Sequence, residues 1–470
     1  MGTLLIRRLA PAVVCALAIA ACGSTQKPAT STSTTPAAPG KGSSTVAIYS
    51  SLPDSGAEAA QSHQIETGIR LALKLADHKA RSFTVTYHQL CDSAVPRKRS
   101  HTPTSRSKIS TGARTDTSKC IGNWSQTRVV HNAEEAARNP QTIAYIGDLN
   151  SGATALSLPI LNQAGIVQVT PGSGYPGLTN SVTVKTSKGT TNITAQGEPD
   201  KYYPQGSGNR TLLRMIPNDL VQASAALKVL RKTGCQKFAA WNFGTDPESK
   251  ALFEAVIATA PEYKMDYAAT PPLTPKTNPY AYAHALAPTG IHCAVMVGHV
   301  THSAVALTTY LRTQFQPTIV GTNGFCNANW VRGIAKSVAK SVVPGLLCMT
   351  AALPVKAYDG YTVFAKLFRS RYDREPTAYN LYGYAASEML LRALHDIDSG
   401  DDDDARQQVL TIMAYNEIDD TPGQTSAFSF DSDGNFETNN DYGVDAFKRG
   451  TPQHYETVSV DVAHLLSSAG

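Results

Sequence analysis

The sequence predicts an α/β chain of two Rossmann- or flavodoxin-like lobes, each a parallel sheet covered by helices. Three observations carry this expectation. At 470 residues the chain is too long for one ordinary core. Short apolar runs alternate with helical periodicity along most of its length, which is the rhythm of β-α-β units. That rhythm runs twice, and a strand-like run at 211–216 separates the two passages.

Composition narrows the class. Hydrophobic residues make up 42% and charged residues 17%, which suits a globular protein with a polar surface. The net charge of +5 is modest, and the basic residues cluster in one segment, so nucleic acid is not an expected partner. Arg7 and Arg8 precede an apolar run at 9–21 that ends Ala20-Ala21-Cys22. Residues 1–21 therefore read as an export signal, too short to span a bilayer stably. Cys22 directly after the alanines resembles the bacterial lipobox. That resemblance implies lipidation of Cys22 and a place on the outer face of the cytoplasmic membrane. Residues 22–45, rich in Ser, Thr and Pro, read as a flexible tether.

The first lobe opens with a strand at 45–50, a loop at 51–56, a helix at 64–78 and a strand at 83–90. An insertion at 94–119 then carries seven basic residues against one acid. No aromatic residues interleave these charges, so it reads as a solvated excursion rather than a polymer-binding surface. Cys91 and Cys120 bracket it, and closing such a loop would stabilise the fold by about 3–4 kcal/mol. After a helix at 127–138 comes the stretch 143–179: strand 143–146, turn 147–153, a helical pattern, strand-like run 165–170 and small-residue turn 171–174. Both turns leave the carboxyl ends of neighbouring parallel strands, where a helix N-terminus offers free N–H donors to an anion. A polar excursion at 180–209 is expected at the rim of that pocket.

The second passage gives helices at 220–233, 249–259, 280–287 and 303–313, with a short one at 329–335. Its strands fall at 237–242, 264–269, 292–298 and 318–321. Late helices follow at 358–372, 379–397 and 405–413. The acids Asp401–Asp404 precede the last of these and suit its N-terminal dipole better than a metal. Residues 426–437 alternate and turn at Asp433-Gly434, a hairpin signal whose glycine falls too early for a calcium loop.

Besides Cys15 and Cys22 there are six cysteines, an even number in an exported chain, which favours disulfides. Fifteen pairings are possible. A strand order of 2-1-3-4 makes the strands at Cys235 and Cys293 neighbours, and the sequential set Cys91–Cys120, Cys235–Cys293 and Cys326–Cys348 is favoured. No CxxC is present, and His299 with His302 lacks a third ligand, so no metal is expected. No GxSxG elbow, P-loop or early GxGxxG occurs, so neither an enzyme nor a cofactor is expected.

Read as a whole, about 46–462 resembles the type I periplasmic binding proteins of the leucine/isoleucine/valine transport group. The carrying stretches are VAIYSSLPDSG, IAYIGDLNSGATALSLPILNQAGIVQVTPGSG, RTLLRMIPNDLVQASA, YDGYTVFAKLFRSRYDREPTAYNLYGYAASEMLLRAL and FSFDSDGNF. The resemblance implies two lobes joined by three crossover strands, 46–216 plus 355–430 and 217–354 plus 431–470. It implies a monomer that captures a branched-chain or related amino acid between the lobes and delivers it to the permease of an ABC importer. Amides, small organic acids and a ligand-sensing role without transport remain alternatives, with a hydrolase the least favoured. The family's carboxylate-holding serine falls on Ser151, with backbone donors near Gly152, and its second loop falls on Gly172 and Ser173. Aromatic positions of the family fall on Gln61, near Asp246, and on His299. The acid that meets the ligand ammonium falls on Asn323, which carries no charge. Asp148, Asp246 and Glu248 are the acids nearest that role, because a buried ammonium needs a compensating charge.

Overall fold

The computed structural model describes residues 45–94, 120, 122, 124–206, 209–270, 277–286, 290–358, 360–397, 405–415, 428–436 and 440–465. The export signal, Cys22, the tether, most of the basic insertion and the Asp401–Asp404 run lie outside these residues.

The chain enters with β1 (Thr45–Leu52), α1 (Ala59–Leu75), β2 (Lys79–Ala80), β3 (Phe83–Cys91), α2 (Gln126–Arg138), β4 (Thr142–Gly147), α3 (Ser151–Gln163) and β5 (Val167–Thr170). A hairpin, β6 (Thr183–Thr186) and β7 (Gly189–Asn192), precedes β8 (Leu212–Arg214). The first sheet has the order β2-β3-β1-β4-β5-β8, parallel except for the edge pair β2–β3. β1 is buried along nearly its whole length because both faces are covered, which is why it reads as an apolar run. Val46, Ile48 and Leu52 point to one core, and Ala47 and Tyr49 to the opposite one, following the two-residue period of a strand.

The second sheet is built from α4 (Asp219–Lys232), β9 (Lys237–Asn242), α5 (Pro247–Thr259), β10 (Asp266–Tyr267), α6 (Pro279–Leu286), β11 (Cys293–Val297), α7 (His302–Gln314), β12 (Thr318–Gly321), α8 (Ala328–Arg332), α9 (Ala339–Val342) and β13 (Leu346–Thr350). Helices α10 (Tyr361–Tyr372), α11 (Ala378–Asp396) and α12 (Ala405–Tyr415) return to the first sheet, and β14 (Asp441–Lys448) and β15 (Thr451–Ser459) complete the second. Its order is β10-β9-β11-β12-β13-β14-β15, with the last two strands antiparallel. The chain thus crosses between the sheets after β8, after β13 and before β14, so the expected α/β fold of two lobes with three crossings is present.

Three bridges, Cys91–Cys120, Cys235–Cys293 and Cys326–Cys348, join the expected cysteines. Cys293 pairs across the sheet with Phe238, three residues after Cys235, as neighbouring strand starts require.

Several boundaries differ from expectation. Helix α1 begins a full turn early, because its first residues, Ala59-Ala60-Gln61-Ser62-His63, carry no apolar stripe to announce it. α3 begins at Ser151, inside what reads as a turn. The hairpin expected at 426–437 is a single bridge, Phe430 to Phe436, around a turn where Asp431 Oδ1 accepts from the N–H groups of Asp433 (2.9 Å) and Asn435 (2.8 Å). Gly434 there has φ 82° and gives its carbonyl to Arg214 N–H (2.9 Å), so the third crossing lies against the first. The excursion at 180–209, expected on the first lobe, touches both. Val182, Val184 and Ile193 join the core under α4 and α5, while Tyr202 and Tyr203 pack with Leu158 of α3.

Each sheet also buries an arginine among helix ends. Arg406 of α12 donates from Nε to Thr142 O (2.7 Å), from Nη1 to Ala164 O (2.7 Å) and from Nη2 to Asn139 O (3.3 Å). Arg312 of α7 donates to the carbonyls of Val342 (3.0 Å), Gln316 (2.7 Å), Pro317 (2.8 Å) and Ser341 (3.2 Å). A cation there satisfies carbonyls that a helix C-terminus leaves without partners and complements its dipole.

Candidate ligand-binding cleft

A cavity of about 400 Å³ lies between the sheets, lined from the first by Glu58, Gln61, Trp124, Asn150, Gly152 and Gly172 and from the second by Asp246, Glu248, His299 and Asn323. Most of these residues follow the carboxyl ends of parallel strands: β1, β4 and β5 on one wall, β9, β11 and β12 on the other. That edge is where an open α/β sheet presents loops and helix N-termini to a ligand. Tyr379 joins them from the start of α11, and Ile216 and Ala351 from the crossings.

Six of the eight expected site residues line the cavity: Gln61, Gly152, Gly172, Asp246, His299 and Asn323. Ser151 and Ser173 are buried and absent from the lining. The Ser151 hydroxyl accepts from Tyr175 N–H (3.0 Å), which ties it to the chain beyond the second loop. The Ser173 hydroxyl shares a 2.7 Å bond with Thr154 Oγ1, and its N–H reaches Thr170 Oγ1 (3.1 Å), so it ties the loop rather than facing the cleft. Asp148 is withdrawn as well, held behind the wall by the hydroxyls of Ser157 (2.6 Å) and Tyr145 (3.4 Å).

Asp246 has two tasks. Its oxygens accept from Ser249 N–H (2.8 Å) and Ser249 Oγ (2.8 Å), capping α5, and Oδ2 lies 3.7 Å from His299 Nε2. The bond to His299 and those to Ser249 outweigh burial and hold the Asp246 carboxyl well below its usual range. The same contact, helped by Glu58, raises the His299 imidazole. Glu58, at the N-cap of α1, accepts from Asn150 Nδ2 (2.9 Å), yet burial raises its carboxyl. Glu248 is raised by burial and by the carboxylates of Asp219, Asp246 and Glu58. Asn323 offers no charge; its N–H is held by Gln222 Oε1 (2.7 Å), and its Oδ1 accepts from Gly324 N–H (3.0 Å).

Sequence reasoning missed Glu58, Trp124 and Tyr379. Glu58 was hidden by the polar first turn of α1, although an acid just before a helix is itself a capping signal. Trp124 follows the insertion, and Tyr379 comes from a distant helix, so neither has a local signal.

Two walls of loops at strand ends, a cavity between them and three crossings behind it decide the architecture. The fold is that of the type I periplasmic binding proteins. This type I chain superposes on a leucine-binding protein from Thermotoga maritima with a TM-score of 0.62 at 18% identity, over 88% of this chain and 99% of that one. It also superposes on a branched-chain amino acid transporter substrate-binding protein from Streptococcus pneumoniae in complex with isoleucine (TM-score 0.60, 15% identity, 88% and 99% of the two chains). A third is an ABC-transporter solute-binding protein from R. palustris in complex with benzoate (TM-score 0.57, 12% identity, 89% and 98%). By sequence, no family model and no curated protein matches the chain.

Behind the first wall of this type I fold, Asp92 is fully buried with neither carboxylate oxygen hydrogen-bonded among the described residues. Burial, Asp148 and Glu58 push it up to about 9, and burial pushes Asp148 to about 7. A carboxyl raised in the fold keeps its proton where the unfolded chain has lost it. The unfolded state then binds fewer protons, and stability falls as pH rises through that window. Unfolding by urea should therefore show greater stability at pH 5 than at pH 8. Asp92→Asn should be more stable than the parent at pH 8 by at least about 1.4 kcal/mol, one pH unit's worth. An unchanged pH slope in that variant would remove Asp92 from the account.

Proposed function

We propose that the chain is an exported solute-binding protein, lipid-anchored through Cys22, which closes its lobes on one small polar molecule and delivers it to an ABC importer. The observation that carries this reading is the cavity lined from both sheets at their strand ends, with the three crossings as a hinge. Ligand contacts from both walls favour closure, because a ligand shifts the lobe equilibrium only by binding one state better. The binding neighbours named above support a binding role rather than catalysis. The lining acids favour an amine-bearing solute, the group that branched-chain and related amino acids share. A neutral amide is the second reading, favoured by the amide side chains of Gln61, Asn150, Asn323 and Asn327 in the same lining. Small organic acids and sensing without transport rank below these.

A thermal-unfolding screen against amino acids, amides, amines and small organic acids tests the reading. A ligand at one hundred times its dissociation constant should stabilise the protein by about 2.7 kcal/mol. No stabilisation by any class would sink the reading.

A further inference from the structure

The polarity of one side chain in the cleft is fixed by a run of hydrogen bonds that begins behind it. Asp219, the first residue of α4, donates its N–H to Gly174 O (2.9 Å), in the second loop of the first wall. Its Oδ1 accepts from Gln222 Nε2 (2.6 Å). Gln222 is fully buried, and with its amino group committed to Asp219, its Oε1 accepts from Asn323 N–H (2.7 Å). The side chain of Asn323 is oriented in the same way. Its Oδ1 accepts from Gly324 N–H (3.0 Å), because the reversed amide would set donor against donor. Gly324 is itself held in place: its carbonyl accepts from Asn327 Nδ2 (2.8 Å), and a methyl group there would strike the Gly298 carbonyl. Asn323 is exposed in the cavity lining, and its Nδ2 is the one polar group of its side chain left over. The lining contains no lysine or arginine that would meet a ligand oxygen in its place.

We propose that Asn323 determines specificity by offering an N–H donor to the ligand, with Gln222 positioning it, so that the solute carries a carbonyl or carboxylate oxygen at the second wall. This deepens the solute-binding reading and rests on it. A solute with amine groups alone gives Nδ2 nothing to bond and leaves it unsatisfied once closure removes water. In an amino acid or an amino amide the oxygen meets Asn323, which leaves the amine for the acids of the lining.

Isothermal titration of the purified full chain with leucine, leucinamide, isovaleramide and isoamylamine tests the proposal. Isoamylamine shares the amine and side chain of the first two but lacks the oxygen. Leucinamide should bind about tenfold more tightly than isoamylamine, as expected when a buried donor is otherwise left unpaired. Asn323→Asp keeps an acceptor for Gly324 N–H but turns the donor into a second acceptor, so it should reverse that order. Gln222→Glu sets a carboxylate against Asp219 and should narrow the preference. Adding Asp219→Asn returns a donor to that contact and should restore it. A merely structural role for Gln222 would instead lower all four affinities alike. Asn323 lies at the surface of the cleft, so its exchange carries the test even if the Gln222 variant does not fold. Equal binding of leucinamide and isoamylamine, or an order that survives Asn323→Asp, overturns the donor role and leaves the solute-binding reading standing. If only another solute of the thermal screen binds, an affinity unchanged by Asn323→Asp overturns the proposal likewise. Binding of nothing in that screen overturns both.

Discussion

Replacing Arg406 by alanine is expected to destabilise the protein by on the order of 4 kcal/mol, seen as a lower urea midpoint. The guanidinium is 2% exposed and bonds the carbonyls of Thr142, Ala164 and Asn139, at the start of β4 and the ends of α2 and α3. Alanine removes the guanidinium donors from these carbonyls, of which Asn139 O keeps the N–H of Thr142 (3.1 Å), and opens a cavity among them; both effects act in the same direction. Lysine should recover only part of the loss, because an ammonium on a flexible stem cannot match the planar fork of the guanidinium. A loss below about 1 kcal/mol for the alanine variant would mean that water satisfies the carbonyls as well.

Gly383→Ala should be among the most damaging single-methyl changes, at about 2–3 kcal/mol, the upper range for overpacking. Helices α1 and α11 approach so closely that a methyl at Gly383 would strike the carbonyl of Ile65, and one at Gly68 would strike the carbonyl of Asn380. The obstruction is backbone on both sides, so no side-chain rotamer can relieve it. The helices must separate, and Tyr379, at the start of α11, would move with them in the cleft. Gly68→Ala should behave alike, and the double variant should cost less than the sum, because one separation serves both methyl groups. Additive losses in urea unfolding would show that the two contacts are independent.

Much of this architecture is legible in the sequence because buried parallel strands and amphipathic helices carry distinct periods. The strands expected at 45–50 and 292–298 announce themselves by their short apolar runs, and the strand order that follows brings Cys235 and Cys293 together. β14 and β15 carry no such signal, since β15 is largely exposed and its residues, Thr451 to Ser459, are mostly polar. At the site, the resemblance, carried over residue by residue, brought Gln61, Gly152, Gly172, Asp246, His299 and Asn323 to positions that line the cavity. It was not enough for Ser151 and Ser173. The direction of a serine hydroxyl depends on neighbours far away in the chain, here Tyr175 for Ser151 and Thr154 for Ser173, which local pattern does not reveal.

The excursion at 180–209 sets a mechanical condition on any hinge. Its hairpin is seated with α4 and α5, its tyrosines with α3, and the link between them runs through Glu198. That carboxylate gathers the hydroxyls of Tyr175 and Tyr202 (the latter at 2.8 Å) and the N–H of Ala195 (2.8 Å) into one knot, with Lys201 Nζ at 2.7 Å. Rotation of one lobe against the other must therefore be taken up as slack on either side of Glu198. The excursion spans the joint alongside the three crossings, so any opening of the cleft has to carry it along.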